Sequence, residues 1–456
     1  MMEIEEILRR SDEEAVKALR TKRVKVPSWE ELRKEYDVRL HPVMDRGAYP
    51  DVVDDAGRVE KVTRVVYDYQ RLATARMSEL VCGVPVKRVY SPKNATEEEL
   101  AGYLESVFER NRIDSVNVER TRMLFAGCEV FTLWYAVAQP NRLYGFDSPV
   151  KVRCRNFSPM LGHALYPLFD ESGDLVAMSI GSKTDDGVEC LDTYTDSRHV
   201  QWRLGKGKEW SRVVDEGHSV GKIAGVYAYR PSPIWENTSG LVYEMEWAMS
   251  RSGNYLRRNS KPIFYIASSD SIDYGREGDE NSEFRTILQV SPEARLGYAT
   301  WEQAIDNLKY HVSELRQLFF TTLQIPDWSY ESIKSTPMSG EARKQLFIDC
   351  HLKVKDESGR LLEMFDREVS VVKALLRTIL PEAVRGDLEA LSVESVITPY
   401  TMDDERDTLS NIALAVNNRL MSRKEGIQML GWSKDVDKTY GEIMEEAEED
   451  VTSHAF

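Results

Sequence analysis

The chain has 456 residues, 42% hydrophobic and 30% charged, enough to bury a sizeable core and to hold two or more compact units. Its 76 acidic residues outnumber 60 basic ones, giving a formal net charge of −16. That excludes a general nucleic-acid binder, because nonspecific affinity needs many Lys and Arg contacts to phosphate, but it leaves room for a like-charged wall past which DNA slides.

The first 57 residues read as irregular, apart from a short helix near Ser28–Tyr36 and a Pro/Gly/Asp-rich stretch at His41–Gly57. Met1–Arg10 is acidic and amphipathic with no apolar signal core. A helix is expected from Glu60 to Cys82, where Val62, Val65, Val66, Tyr69, Leu72, Ala73, Arg76 and Leu80 keep a helical spacing and Gly83 and Pro85 end the run. A second helix starts at Asn94 or Thr96, with Glu97, Glu98 and Glu99 in the first turn, where the helix dipole favours acids. A third runs from Ser115 to Ala126.

From Cys128 the pattern changes to short β-like runs at Val130–Val137, Val150–Arg155, Leu165–Phe169, Leu175–Ile180, Glu189–Thr195 and His199–Leu204, separated by Gly, Asn and Asp turns. Residues 128–230 therefore read as an antiparallel sheet region. Leu241, Met245, Ala248, Met249, Ser252 and Leu256 then share one face of a helix reaching Asn259, and Pro262 stops it. Ile263–Ile266 is a strand, Asp270–Glu283 a polar loop with Gly275 and Gly278, and Ile287–Val290 a second strand. Apolar runs such as Ile263–Ala267 are far too short to span a bilayer.

The next helix, Thr300–Gln324, carries Ile305, Leu308, Val312, Leu315, Phe319 and Thr322 and stops at Pro326. A very long helix follows from Ser339 to Pro381, with a kink expected at Gly359. Val393–Tyr400 reads as a strand, and the remainder as helical with an acidic tail.

Enzyme motifs do not form. Gly217–Ile223 has the wrong spacing for a P-loop and lacks the hydroxyl that would hold Mg²⁺. Pro326-Asp327 with Glu331 and Lys334 resembles a metal-dependent nuclease motif, but its acid-to-lysine gap is one residue too long and it sits in a Ser/Pro-rich loop rather than on a strand. The seven histidines, His41, His163, His199, His218, His311, His351 and His454, show no zinc-site spacing. Cys82, Cys128, Cys154, Cys190 and Cys350 form no CxxC pair and read as reduced, mostly buried thiols in a cytosolic setting. No catalytic residue, metal or cofactor is expected.

Three stretches, in this order, resemble the portal proteins of long-tailed bacteriophages. The first is Tyr243–Asn254, set beside a family pattern like Asp/Tyr-x-x-x-x-Ser-x-x-x-Asn, whose Ser-x-x-x-Asn spacing is kept by Ser250 and Asn254, followed by the apolar strand Lys261–Ile266. The family often continues that strand into Gly, whereas this chain has Ala267-Ser268-Ser269. The second is Pro326-Asp327-Trp328-Ser329, then Ser339-Gly340-Glu341-Ala342-Arg343-Lys344 at the head of a long helix. The third is Leu420–Gly431, a helix that starts with Ser and an acid and ends in Leu-Gly.

The resemblance implies an α+β portal fold with a helical stem, a mixed wing domain, a small α/β clip insert and a helical crown. Residues 1–238 would form the N-terminal wing, 239–260 and 300–324 the stem helices, and 261–299 the clip. Residues 325–338 would form a tunnel loop, 339–400 the long wing helix and strand, and 401–456 the crown. It implies a dodecameric homo-oligomeric ring at a unique capsid vertex of the virion, assembled in the host cytoplasm. The ring would dock the terminase large subunit and then a head–tail connector or adaptor. It would also contact major capsid and scaffolding proteins, let double-stranded DNA through during packaging and ejection, and touch no membrane. Partner contacts would fall on Asp270, Asp273, Arg276, Glu277, Asp279, Glu280 and Glu283 of the clip, and DNA contacts on Ser332, Lys334, Ser335 and Thr336 of the tunnel loop. The residues independently suggest a ring, since two amphipathic helices flanking a small insert cannot cover both apolar faces alone. The rival readings are a metal-dependent nuclease and a monomeric structural adaptor.

Overall fold

The computed structural model describes residues 4–53, 57–259, 263–267, 295–299, 305–327, 347–400, 405–433 and 435–453. The chain mixes helix and sheet, 50% and 20% of it respectively.

Residues 4–19 are not irregular. Two short helices, α1 (Ile4–Leu8) and α2 (Asp12–Leu19), bury Ile7, Leu8, Ala15, Val16 and Leu19. Neither helix is long enough to be stable alone, so docking forms them. They lie on a five-stranded antiparallel sheet, where the Asp12 carboxylate accepts from Trp202 Nε1 at 3.1 Å and from the Arg212 amide at 3.0 Å. The expected helix at 28–36 is present as α3 (Trp29–Tyr36), capped by Ser28.

The first long helix is shorter than its spacing predicts. A small hairpin, β1 (Val52–Val53) with β2 (Val59–Glu60), leads into extended chain, and α4 spans only Tyr69–Cys82. After β3 (Lys87–Ser91) come α5 (Ala95–Arg110), capped by Asn94, and α6 (Ile113–Gly127).

The sheet region is two sheets. One is three-stranded, with β4 (Glu129–Val137) between β5 (Lys151–Phe157) and β11 (Gly225–Tyr229). The other is a five-stranded meander of β6 (Ala164–Phe169), β7 (Leu175–Lys183), β8 (Glu189–Tyr194), β9 (Arg198–Leu204) and β10 (Trp210–Gly217). The strands β10 and β11 were not expected. Phe131, Leu133, Leu165, Met178, Ile180 and Tyr227 form the core between the sheets.

Two helices come next, α7 (Ser239–Asn259) and α8 (Ile305–Leu323), packed on each other. Between them β12 (Ile263–Ala267) pairs antiparallel with β13 (Arg295–Ala299). The long helix α9 (Ile348–Ile379) runs without a break through Gly359. After α10 (Arg385–Ala390), β14 (Ser392–Val396) returns to pair with β3. The chain ends in α11 (Glu405–Asn417), α12 (Arg423–Leu430) and α13 (Val436–Ser453). Ser422 and Glu425 make a reciprocal capping box on α12, and Gly431 closes it at φ 66°, which gives the Ser-acid-Leu-Gly pattern its physical meaning.

A buried ion pair ties the fold together at its centre. Glu368 of α9 accepts two hydrogen bonds from Arg120 of α6, at 2.6 and 2.7 Å, and one from Trp134 Nε1 of β4 at 3.0 Å. Arg120 and Glu368 are both fully buried, and Arg88 of β3 lies 3.8 Å from the same carboxylate. All five cysteines are free, and burial pushes the Cys128 and Cys154 thiols up to about 12. They therefore stay protonated and unreactive at neutral pH.

Candidate functional site

The feature that organises the helix pair is a ladder of polar side chains on α7. Glu246, Ser250 and Asn254 lie four residues apart, on one face. Each accepts a backbone N–H from an extended strap beside the helix. Tyr67 donates to Glu246 Oε1 at 2.9 Å, Val65 to Ser250 Oγ at 2.8 Å and Thr63 to Asn254 Oδ1 at 2.5 Å. The registers match because four residues of helix rise about 6 Å and two residues of extended chain advance about 6.6 Å. One backbone direction can therefore be read by every fourth helical side chain.

This ladder explains why residues 62–68 are not helical. Val62, Val65 and Val66 mimic a helical repeat, but they are β-branched and suit extended backbone. In the strap the Thr63, Val65 and Tyr67 amides are satisfied by α7, and the Val62 amide by Asp51 at 3.1 Å, instead of by a helix of their own. Gly253 permits the close approach, since a Cβ there would lie 2.8 Å from Thr63 Cγ2.

The upper end of the ladder is ionic. His41 Nδ1 lies 2.7 Å from Glu246 Oε1, and His41 Nε2 lies 2.8 Å from the Glu35 carbonyl, with both side chains fully buried. Both ring nitrogens face acceptors, which the doubly protonated imidazolium satisfies best. Burial acts to lower the His41 pKa, but the hydrogen bond and charge of Glu246 outweigh it and the net displacement is upward. The rings of Tyr243 and Trp247 stand edge-on to His41 and Tyr49. The aromatic and methionine stripe of α7 therefore packs within the chain, and Met245 is fully buried.

The second anchor lies where α8 ends. Gln324 takes the left-handed conformation at φ 54°. The Ile325 amide donates to Phe320 O and the Gln324 amide to Thr321 O, both at 3.1 Å, which is a Schellman closure with Gln in the position glycine favours. Arg316 Nη2 then meets Asp327 Oδ2 at 2.6 Å. Arg76 of α4 donates to the Pro326 carbonyl at 2.9 Å and lies 3.8 Å from Asp327 Oδ1. A carboxylate placed between two guanidiniums is committed to them, which argues against Asp327 as a metal ligand of a nuclease. Among the described residues no group of three His, Cys, Asp or Glu could hold a metal ion, and no helix is long and apolar enough to cross a membrane.

The expected contact residues Asp270, Asp273, Arg276, Glu277, Asp279, Glu280 and Glu283, and Ser332, Lys334, Ser335 and Thr336, all lie outside the described residues. The structure builds two anchors whose roles the sequence did not reveal, His41 with Glu246 and Gly253 along α7, and Arg76 with Arg316 at the end of α8. The available signal was the i, i+4, i+8 spacing of Glu246, Ser250 and Asn254 on an otherwise aromatic and methionine-rich helix. His311, on α8, faces Glu244 of α7 at 3.5 Å.

The Ser250 and Asn254 positions of the first portal-like stretch thus hold a strap, and Asp327 of the second holds a helix end. The family described as "Phage portal protein, SPP1 Gp6-like" matches residues 19–453. The chain belongs to this portal family. Portal proteins are structural rather than enzymatic, and a structural role as a portal or connector comes with membership. No curated protein sequence matches the chain. Among solved structures, a chain from "Virion of native gene transfer agent (GTA) particle" is 10% identical, with 90% of this chain and 95% of that one covered and a TM-score of 0.39. A chain from "Neck of empty GTA particle computed with C6 symmetry" has the same identity and coverage, with a TM-score of 0.42. Likeness at that level carries no functional information.

Proposed function

We propose that this portal-family chain forms a closed dodecameric ring at one capsid vertex, through which double-stranded DNA is packaged and ejected. The observation that supports this most is family membership over residues 19–453. In this reading residues 1–238 and 339–400 are wing, α7 and α8 are the stem and 261–299 is the clip. Residues 325–338 form the tunnel loop and 401–456 the crown. The clip acids Asp270, Asp273, Glu277, Asp279, Glu280 and Glu283, with Arg276, meet the terminase large subunit and later a head–tail connector. Capsid and scaffolding proteins meet the ring during assembly in the host cytoplasm. Lys334, with Ser332, Ser335 and Thr336, touches passing phosphate. One lysine per subunit gives weak, salt-dependent contact that does not arrest sliding.

The case for a ring from uncovered helices holds in part. Val242, Met245, Phe319, Phe320 and Leu323 join the main core, so one half of each stem helix is covered within the chain. Leu256, Tyr310 and Leu318 stay exposed, at 55%, 68% and 50%, and a neighbour in a ring would cover them. Native mass spectrometry at micromolar concentration and moderate salt should show a single ring species. A monodisperse monomer would overturn the reading and favour the adaptor alternative. Lys334→Glu should leave ring size unchanged and impair packaging, and normal packaged length and rate would remove the DNA role of the loop.

A further inference from the structure

We propose that Asp327 is a positioning residue, the fixed point from which the segment after α8 departs toward the channel, with Arg76 and Arg316 holding it against α4 and α8. This rests on the portal reading above, which puts residues 325–338 beside the DNA.

Three independent constraints converge on this point. The Schellman closure fixes the backbone at Gln324 and Ile325 and turns the chain away from the axis of α8. Ile325 is 3% exposed and Phe320 6%, so the apolar contact that accompanies such a closure is also made. The arginines then fix the next two residues, Pro326 and Asp327. Arg316 comes from α8 itself, but Arg76 comes from α4, far away in sequence. The Arg76 guanidinium stands 5.2 Å from the Phe320 ring centre while donating to Pro326 O. One side chain therefore holds the last turn of α8, the carbonyl of Pro326 and the Asp327 carboxylate together.

An ordinary helix end needs none of this, because a Schellman turn already satisfies its carbonyls. The added ionic clamp does something different. It ties the outgoing chain to α4, which packs on α6 in the main core. A load on residues beyond 327 would reach the wing core through Arg76 and the stem through Arg316. Arginine cannot lose its proton, so both guanidiniums stay charged across the physiological pH range. A pocket of about 400 Å³ lined by Arg316, Gln324, Asp327 and Asp349 lies beside the clamp.

The test uses assembled rings and DNA-filled particles. Asp327→Asn should leave ring size unchanged, speed amide hydrogen exchange at Leu323, Gln324, Ile325 and Asp327 about tenfold, and lower the fraction of particles that retain DNA severalfold. Asp327→Glu, which keeps the charge, should restore both readouts. Should Asp327→Asn fail to assemble, Arg316→Gln gives the same two readouts from the partner side. Unchanged exchange in both variants would overturn the clamp. Faster exchange with normal DNA retention would overturn the positioning role and leave only a local ion pair. Particles assembled without this chain serve as the separate control: if they retain DNA normally, the portal reading itself fails, and this inference with it.

Discussion

Replacing Glu246 by Gln should separate the two kinds of support that this carboxylate gives. Its Oε1 takes hydrogen bonds from His41 Nδ1 and the Tyr67 amide, at 2.7 and 2.9 Å, in a fully buried setting. Breaking a buried ion pair costs about 3–5 kcal/mol when the remaining charge is trapped. Here it is not trapped, because His41 can release its proton. The amide also keeps an acceptor for Tyr67. The expected loss near neutral pH is therefore about 1–3 kcal/mol, the range for a buried group that loses a charged partner. The pH dependence comes from the upward displacement of His41. A raised folded-state pKa gives stability that is fully present below the unfolded value of about 6.5 and is lost as pH rises through the folded value. The gap between wild type and Glu246→Gln should thus be widest below about pH 6.5 and narrow on the alkaline side. The other groups facing the ring support the same sign, since the Glu35 carbonyl accepts from Nε2 and Asp68 adds negative charge. Urea unfolding followed by tryptophan fluorescence, at fixed protein concentration and three pH values, measures this. A variant within about 0.5 kcal/mol of wild type at every pH, or a gap that does not change with pH, would refute the imidazolium–carboxylate assignment.

The contrasting case is Glu368→Gln, which leaves Arg120 buried with no escape by deprotonation. It should cost about 3–5 kcal/mol at all pH values where the protein is folded, and a double Arg120→Met, Glu368→Met variant should cost less than the sum of the single changes in the same urea experiment. Gly253→Val should push the strap off α7 and lose about 1–3 kcal/mol by overpacking, seen as faster hydrogen exchange at Thr63, Val65 and Tyr67. Gln324→Gly should stabilise by roughly 0.5–1 kcal/mol, because a non-glycine residue in the left-handed region costs about 1–2 kcal/mol and glycine gives part of that back in chain entropy, and a higher urea midpoint with unchanged slope would show it.

Where local chemistry decides structure, the sequence was readable. Ser28 and Asn94 cap the helices that begin after them, and Ser422 with Glu425 caps α12, because a side-chain oxygen meeting an orphan amide is a contact between near neighbours. The helix Ser239–Asn259 and its partner α8 were likewise legible from apolar spacing. The strap was not. Val62, Val65 and Val66 satisfy a helical template, and the extended form wins through hydrogen bonds to residues almost two hundred positions away, with Asp51 holding the Val62 amide and the Arg64 guanidinium beside them. The helices at 4–8 and 12–19 failed for a related reason, since their stability comes from the sheet they cover and from Asp12 contacts with Trp202 and Arg212. Strand β10 begins after a turn in which Lys208 takes φ 62°, a conformation that Gly205-Lys206-Gly207 advertises only as irregular. The nuclease-like spacing around Asp327 was legible as a motif, but its meaning was not, because Arg76 and Arg316 are far from it in sequence.

The portal-like stretches gain a physical reading from these contacts. Ser250 and Asn254 are spaced for a helix, yet the segment they recognise has the repeat of a strand. The polar positions of α7 therefore reflect the need to fasten an extended segment along that helix. At the far end of α8, Arg76 and Arg316 hold Pro326 and Asp327. Between them the two anchors fix the core-side halves of both helices within one chain, while Leu256, Tyr310 and Leu318 on the helices, and Ile348 and Leu352 on α9, stay exposed. A subunit arranged this way brings a preformed helix pair to its neighbours. Assembly then has to cover apolar surface but does not have to order the helices, and the entropy of fixing them has already been met by the strap, the buried pair and the clamp.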